Sequence, residues 1–324
     1  DVPGIDLPHV HGVQTLGDAD RLLADAAVRR GPVVVVGGGY IGLELAEAFT
    51  VRGAEVTVVD AAPEVMGGLD PDMGALVARA LRSTGVAVRS GERLEAVDDG
   101  TVTTSGGTLP ADLVVLGTGV VPDTTLAGAA GLTLGVAGAV VVDRRQRTSA
   151  DGVYAAGDCC ESRHLVSGKP VHQPLGTVAN KQGRVAGINL AGGYATFPGV
   201  VGTAVTRLCG TEVGRTGLGE AEAAAAGFAT VAEVVEAATA SRYLGALAEP
   251  LTVKVIAEAG SGRLLGAQVV GGRGAAKRVD TVAVAITAGL DAEALLMADL
   301  GYAPPYSTVW DPLQVAARLV VDRL

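Results

Sequence analysis

The stretch PVVVVGGGYIGLELAEAFTVRGAEVTVVD, residues 32–60, constrains the fold more than any other part of the chain. Four consecutive valines suit a strand buried on both faces; a glycine turn, a stretch of helical period and a second β-branched run ending on an acid follow in order. That succession is one βαβ unit of a parallel sheet. Gly37, Gly39 and Gly42 fill the pattern G-x-G-x-x-G, with Tyr40 and Ile41 between the last two. The first glycine allows a tight turn, the second lets a pyrophosphate approach the backbone, and the third lets helix and strand pack closely, so that the helix N-terminus faces the phosphates. Asp60 closes the second strand 18 residues past Gly42. A carboxylate there accepts hydrogen bonds from an adenosine ribose and repels a 2′-phosphate, which favours NADH over NADPH. The glycine pattern alone would also describe an ordinary tight turn; the ordered strands, helix and acid make it a dinucleotide site.

The unit continues. Asp70 is placed to cap a helix with Pro71 in its first turn, Gly85 to stop it, and VAVRS reads as the next strand. The runs RLEAV and TVTTS suggest a hairpin insertion. ADLVVLGTGVVPD then supplies another buried strand, whose Gly117 and Gly119 allow close backbone approach to a ligand.

Composition bounds the rest. At 324 residues, 48% hydrophobic and 19% charged, the chain is long enough for two or three packed units. A net charge of −10 and the lack of clustered Lys and Arg argue against nucleic acid as a partner. Apolar runs such as Leu113–Leu116 fall far short of the roughly 20 residues that span a bilayer, and no signal-peptide pattern opens the sequence, so a cytoplasmic setting with no membrane partner is expected. Three cysteines, with Cys159 and Cys160 adjacent, give neither a disulfide framework nor zinc-ligand spacing, and no metal is expected. The pair reads either as small buried thiols near a cofactor or as a redox pair.

Taken together, the nucleotide-binding unit, LVVLGTGVVPD, VYAAGDC and PLGTVANKQGRVAGINL resemble the FAD-dependent pyridine nucleotide:disulfide oxidoreductases. The segment YAPPYSTVWDPLQVAA, residues 302–317, is similar to the branch containing coenzyme A disulfide reductases and NADH oxidases. The resemblance covers essentially the whole chain. It implies an α/β fold with a Rossmann-like NAD domain, a partial FAD domain and a C-terminal α+β interface domain. The expected boundaries are a tail and linker from a first FAD segment at 1–29, the NAD(H) domain at 30–122, a second FAD segment at 123–198 and the dimerisation domain at 199–324.

The same resemblance implies roles for particular residues. Asp158 would accept hydrogen bonds from the ribityl hydroxyls of FAD, although a turn aspartate can equally cap a backbone amide. A helix over 174–190 would turn the amides near Gly176, Thr177 and Val178 towards the flavin edge where negative charge develops. Gly119 joins the cofactor-binding set, and Glu44 would lie near nicotinamide or flavin, or else be a solvated helix carboxylate. In the third region LTVKVIAE, GSG and LLGAQVV read as a hairpin, and GAAKRVDTVAVAITAG as an amphipathic helix. Tyr243 and Tyr302, with Tyr306 a weaker alternative, match positions where such enzymes present partner-subunit tyrosines to the reacting sulfur; they also suit a plain interface. The histidines His9, His11, His164 and His172 do not cluster in the sequence and receive no role.

The implied parent is a homodimer passing hydride from NADH through FAD to a disulfide such as coenzyme A disulfide, a persulfide or dioxygen. One expected part is missing from these residues: the strand, glycine turn and helix that hold the ADP half of FAD, with the redox cysteine after them. The sequence opens without methionine on DVPGIDLPHV, which resembles the point just after that part. The expectation is therefore a truncated, catalytically incomplete chain that does not retain FAD. A flavin-free NAD(H)-binding or sensing module and a non-catalytic dimerisation partner are the alternatives.

Overall fold

The computed structural model describes residues 2–324; Asp1, the first residue of the expected tail, lies outside them. The first region contains β1 (Val10–Gly12), α1 (Leu16–Val28), β2 (Val33–Val36), α2 (Tyr40–Val51), β3 (Val56–Asp60), α3 (Pro71–Ser83), β4 (Ala87–Ser90), β5 (Leu94–Asp98), β6 (Thr101–Thr104), β7 (Gly107–Pro110) and β8 (Leu113–Leu116). Five of the strands form a parallel sheet in the order β1-β8-β2-β3-β4. All four valines of β2 are buried, as a strand covered on both faces requires. Val36 registers with Val59 on one side and Leu116 on the other, so Gly37, Asp60 and Gly117 emerge side by side at the carboxyl ends of three strands. Ligands of open α/β sheets bind at such a crevice.

Two details differ from the sequence reading. Residues 10–28, expected within a tail and linker, add an edge strand and a helix to this sheet: Val10 pairs with Val114, Leu22 is buried, and Thr15 and Asp18 form a capping box at the start of α1. The expected hairpin is a three-stranded meander, β5-β6-β7. Its third strand, GTLP, was hidden by a glycine and a proline, which an edge strand tolerates because one side needs no ladder partner.

The second region has little regular structure: α4 (Thr125–Ala129), the two-residue strands β9 (Ser162–Arg163) and β10 (Pro170–Val171), and α5 (Gly176–Leu190). The run VYAA makes a single bridge from Tyr154 to Arg147; Gly152 and Gly157, both at positive φ, turn the chain at either end of it. Val178 and Val185 of α5 pack with Phe197 and Val200.

The third region comprises β11 (Ala204–Leu208), β12 (Thr211–Gly217), α6 (Glu220–Ala226), β13 (Thr230–Ala238), β14 (Pro250–Glu258), β15 (Leu264–Gly271), α7 (Val279–Thr287), α8 (Ala292–Leu296) and α9 (Pro312–Val321). Its strands form an antiparallel sheet in the order β11-β12-β15-β14-β13, with β14 and β15 as the expected hairpin and α7 as the core of the expected helix. This region does not stand apart. Leu208, Val213 and Val270 enter the same apolar core as Leu43, Met73 and Val77 of the first region, which docks β11 beside α2.

Polar contacts fasten the same joint. Asp70 does occupy the N-cap position of α3 ahead of Pro71, but its side chain caps nothing there. Its carboxylate accepts from Gln268 Nε2 and from the Glu220 amide, each at 2.9 Å, and lies 3.0 Å from Lys254 Nζ. A buried ammonium competes for this carboxylate more strongly than an exposed amide at a helix end.

Candidate functional site

A cleft of about 1430 Å³ opens at the carboxyl ends of β2, β3 and β8. Three glycines interlock at its floor. Gly37 has φ of +105°, and a Cβ there would stand 2.4 Å from the Gly117 carbonyl oxygen; a Cβ on Gly42 would stand 1.9 Å from the Gly37 oxygen, and one on Gly117 2.7 Å from the Gly42 Cα. Helix, turn and strand approach at distances that only hydrogen fits. Gly39 is the opposite case, with nothing within 4 Å of a Cβ position. Its open face, at the N-terminus of α2 where no side chain caps, leaves room for a phosphate against free amides. The residues therefore fit a dinucleotide pyrophosphate.

Asp60 lines the cleft with both carboxylate oxygens anchored: Oδ2 accepts from the Gly38 amide at 2.5 Å and Oδ1 from the Ala62 amide at 2.7 Å. Tyr40, Ile41, Glu44, Gly119, Gly176 and Thr177 are brought to the same cleft. Burial pushes the Tyr40 phenol above its ordinary value against the opposing effect of Arg215, so it faces the cleft as a neutral hydroxyl. Glu44 accepts from Thr206 Oγ1 at 2.7 Å, tying α2 to β11. Thr203, Ala204 and Val205 wall the same side. Sequence reading missed all four of these third-region residues, since nothing local marks a strand that docks on a helix 162 residues away.

The remaining candidates separate. Gly42 is buried beneath the floor, as its packing role requires. At the start of α5 Gly176 and Thr177 line the cleft and their amides make no backbone bond among the described residues, whereas Val178 is buried and its amide donates to the Leu175 carbonyl at 2.9 Å. The Asp158 carboxylate is exposed, makes no hydrogen bond among the described residues and is not on the wall; its carbonyl accepts from His172 Nε2 at 2.7 Å, and His172 does line the cleft. Only its position two residues before Pro174 could have marked that histidine. Buried Cys160 is held near Gly157 and Gln182, and burial, followed by the charges of Cys159, Glu161 and Asp158, pushes its thiol up to about 12. Such a thiol is a poor nucleophile. All three cysteines are unpaired, and no group of His, Cys, Asp or Glu among the described residues is placed to hold a metal.

Tyr243 and Tyr302 are not on this cleft. The Ser241 amide donates to Pro304 at 2.9 Å, and Arg278 Nη2 donates to the Tyr306 carbonyl at 2.8 Å, which gathers the two loops on one outer face. Tyr243 and Tyr306 are each 75% exposed there, with Val309 and Trp310 also exposed. No helix among the described residues is long and apolar enough to cross a membrane.

The pyridine nucleotide-disulphide oxidoreductase family matches residues 1–183, and the dimerisation domain of that family matches residues 203–312. An NAD(P)H sulfur oxidoreductase (CoA-dependent) from Pyrococcus furiosus is 37% identical over 99% of this chain and 73% of its own. An NADH oxidase from Methanocaldococcus jannaschii is 36% identical over 100% of this chain and 73% of its own. Among solved structures, an NAD-dependent persulfide reductase from A. fulgidus superposes with a TM-score of 0.96 at 38% identity, covering 99% of this chain and 60% of that one.

Proposed function

Because the chain belongs to the pyridine nucleotide-disulphide oxidoreductase family, we propose that its cleft is the NADH entry site of a homodimeric FAD-dependent oxidoreductase whose acceptor is a disulfide, a persulfide or dioxygen. The observation that carries this reading is the glycine cradle: Gly37, Gly42 and Gly117 interlock while Gly39 is left open beside Asp60. For a disulfide, the two electrons and one proton of a hydride from NADH, with one further proton from solvent, give two thiols. FAD, when bound, supplies the two-electron relay between coenzyme and acceptor.

Residues of this chain bind and orient. The Gly39 face and the α2 N-terminus hold the pyrophosphate, and Asp60 holds the adenosine ribose. Glu44, fixed by Thr206, stands beside the nicotinamide end. Were FAD bound, the amides of Gly176 and Thr177 would stabilise negative charge at the flavin edge, and Asp158 would accept hydrogen bonds from the ribityl hydroxyls. Tyr243 and Tyr302 reach the partner subunit's reacting sulfur, where a phenol donates a proton to a developing thiolate. The exposed aromatic face and the match to the dimerisation domain support that assignment. The unpaired cysteines support a cytoplasmic setting.

Asp60 sets the first expected outcome: NADH binds at least about tenfold more tightly than NADPH, or ~1.4 kcal/mol. Calorimetric titration of both coenzymes measures it, and equal dissociation constants would remove the ribose role of Asp60. The cofactor sets the second. Among the described residues the G-x-G-x-x-G pattern occurs once, between β2 and α2, and in this reading it serves the nicotinamide coenzyme. A polypeptide of residues 1–324 by itself is therefore expected to be colourless after FAD addition and desalting, while still binding NADH. A flavin spectrum surviving desalting would show that other groups suffice for FAD.

A further inference from the structure

Arg93 is the single Lys or Arg side chain on the cleft wall among the described residues. Its place is fixed by backbone bonds. The Gly91 amide donates to the Ala62 carbonyl at 2.7 Å and the Glu92 amide to the Asp60 carbonyl at 3.0 Å, which fastens this segment to the end of β3. The Arg93 amide donates to Ser105 Oγ at 3.0 Å and its carbonyl accepts from the Ser105 amide at 2.9 Å, so the residue is held from the meander side as well. Asp60, Ala61 and Ala62 line the same cleft.

Arg93 is exposed, and its side chain makes no ion pair among the described residues. Its neighbour Glu92 is already engaged, one oxygen accepting from Arg89 at 2.8 Å and the other from Thr104 at 2.6 Å. Asp60 is engaged too, with each oxygen on a backbone amide. Arg93 therefore lines the cleft on the segment fastened to the Asp60 end of β3, with no ion-pair partner among the described residues, and the planar fork of a guanidinium matches a phosphate.

We propose that Arg93 is a specificity-determining residue that binds the 2′-phosphate of NADPH, so that the cleft takes a 2′-phosphorylated coenzyme as its second ligand. This rests on reading the cleft as a nicotinamide dinucleotide site. Asp60 repels the added phosphate while Arg93 attracts it, and the balance is a moderate preference for NADH in place of exclusion.

The test is calorimetric titration of the full chain with NADH and with NADPH, for the unmodified protein, Arg93→Gln and Arg93→Lys. Arg93→Gln is expected to weaken NADPH by about fivefold and NADH by less than about twofold, with Arg93→Lys retaining most of the NADPH affinity. In the unmodified protein, added salt weakens NADPH more than NADH, and that excess disappears in Arg93→Gln. Equal losses for the two coenzymes would place Arg93 on their shared part, and unchanged NADPH binding would leave it without a role; either overturns the proposal while NADH binding still supports the cleft. An unmodified protein that binds neither coenzyme overturns the cleft reading and this proposal together.

Discussion

Replacing Lys254 with methionine is expected to destabilise the protein by about 3–5 kcal/mol, the cost of removing one partner from a buried ion pair. Lys254 is 3% exposed in the middle of β14. Burial works against its charge, yet Glu220, Asp72 and Asp70 surround the ammonium at 2.5, 3.0 and 3.0 Å and hold it above the ordinary lysine value. The exposed pairs contribute little. Asp70 is different, because it is buried and has only Gln268 and the Glu220 amide once the ammonium is gone. Methionine preserves length and apolar packing, so the loss reports the stranded carboxylate. Adding Asp70→Asn removes that charge and should recover a large part of the stability, whereas Asp72→Asn alone should cost no more than about 1 kcal/mol. Urea unfolding of the four proteins measures these differences. A Lys254→Met protein within about 1 kcal/mol of the unmodified chain would mean that water or a neighbouring group satisfies Asp70.

The location of this network explains what the sequence could and could not reveal. Asp70 and Asp72 start α3 in the first region, while Lys254, Gln268 and Glu220 come from the third, and the Asp70–Gln268 bonds span 198 positions. A helix-capping rule reads four or five neighbouring residues, and it placed Asp70 correctly at the end of a helix while its partner remained invisible. The same contrast runs through the cleft. Gly37, Gly39, Gly42 and Asp60 belong to one βαβ unit whose spacing carries its own geometry, so their arrangement was legible. Thr203, Ala204 and Val205 reach the cleft because Leu208 and Val213 share a core with α2, a fact of docking and not of local pattern. Arg93 and His172 sit on connecting segments, which have no period to read. Tyr243 and Tyr302 entered through the family resemblance alone, and the single chain does not bring them to the cleft.

Gly37→Ala is expected to remove both tight NADH binding and part of the fold's stability, by about 2–4 kcal/mol in stability from positive-φ strain and steric overlap together. The new Cβ would lie 2.4 Å from the Gly117 oxygen, 2.6 Å from its carbon and 3.0 Å from the Thr118 nitrogen. All three are backbone atoms, so no rotamer change relieves the overlap. Both strands are pinned at this point, Gly37 donating to Val59 at 2.8 Å and Gly117 to Val36 at 2.7 Å. Relief therefore requires β2 or β8 to shift, and with it the turn that presents the α2 N-terminus to the pyrophosphate. A displacement of that kind should raise the NADH dissociation constant by about thirtyfold or more, ~2 kcal/mol. Gly39→Ala separates the two causes. Gly39 has φ of −82° and an empty surrounding, so alanine there leaves the thermal midpoint nearly unchanged. Its methyl group nevertheless occupies the face through which a phosphate approaches, and NADH affinity should fall without loss of fold. If Gly39→Ala binds NADH like the unmodified chain, the pyrophosphate does not cross that face, and the glycine cradle serves the sheet alone.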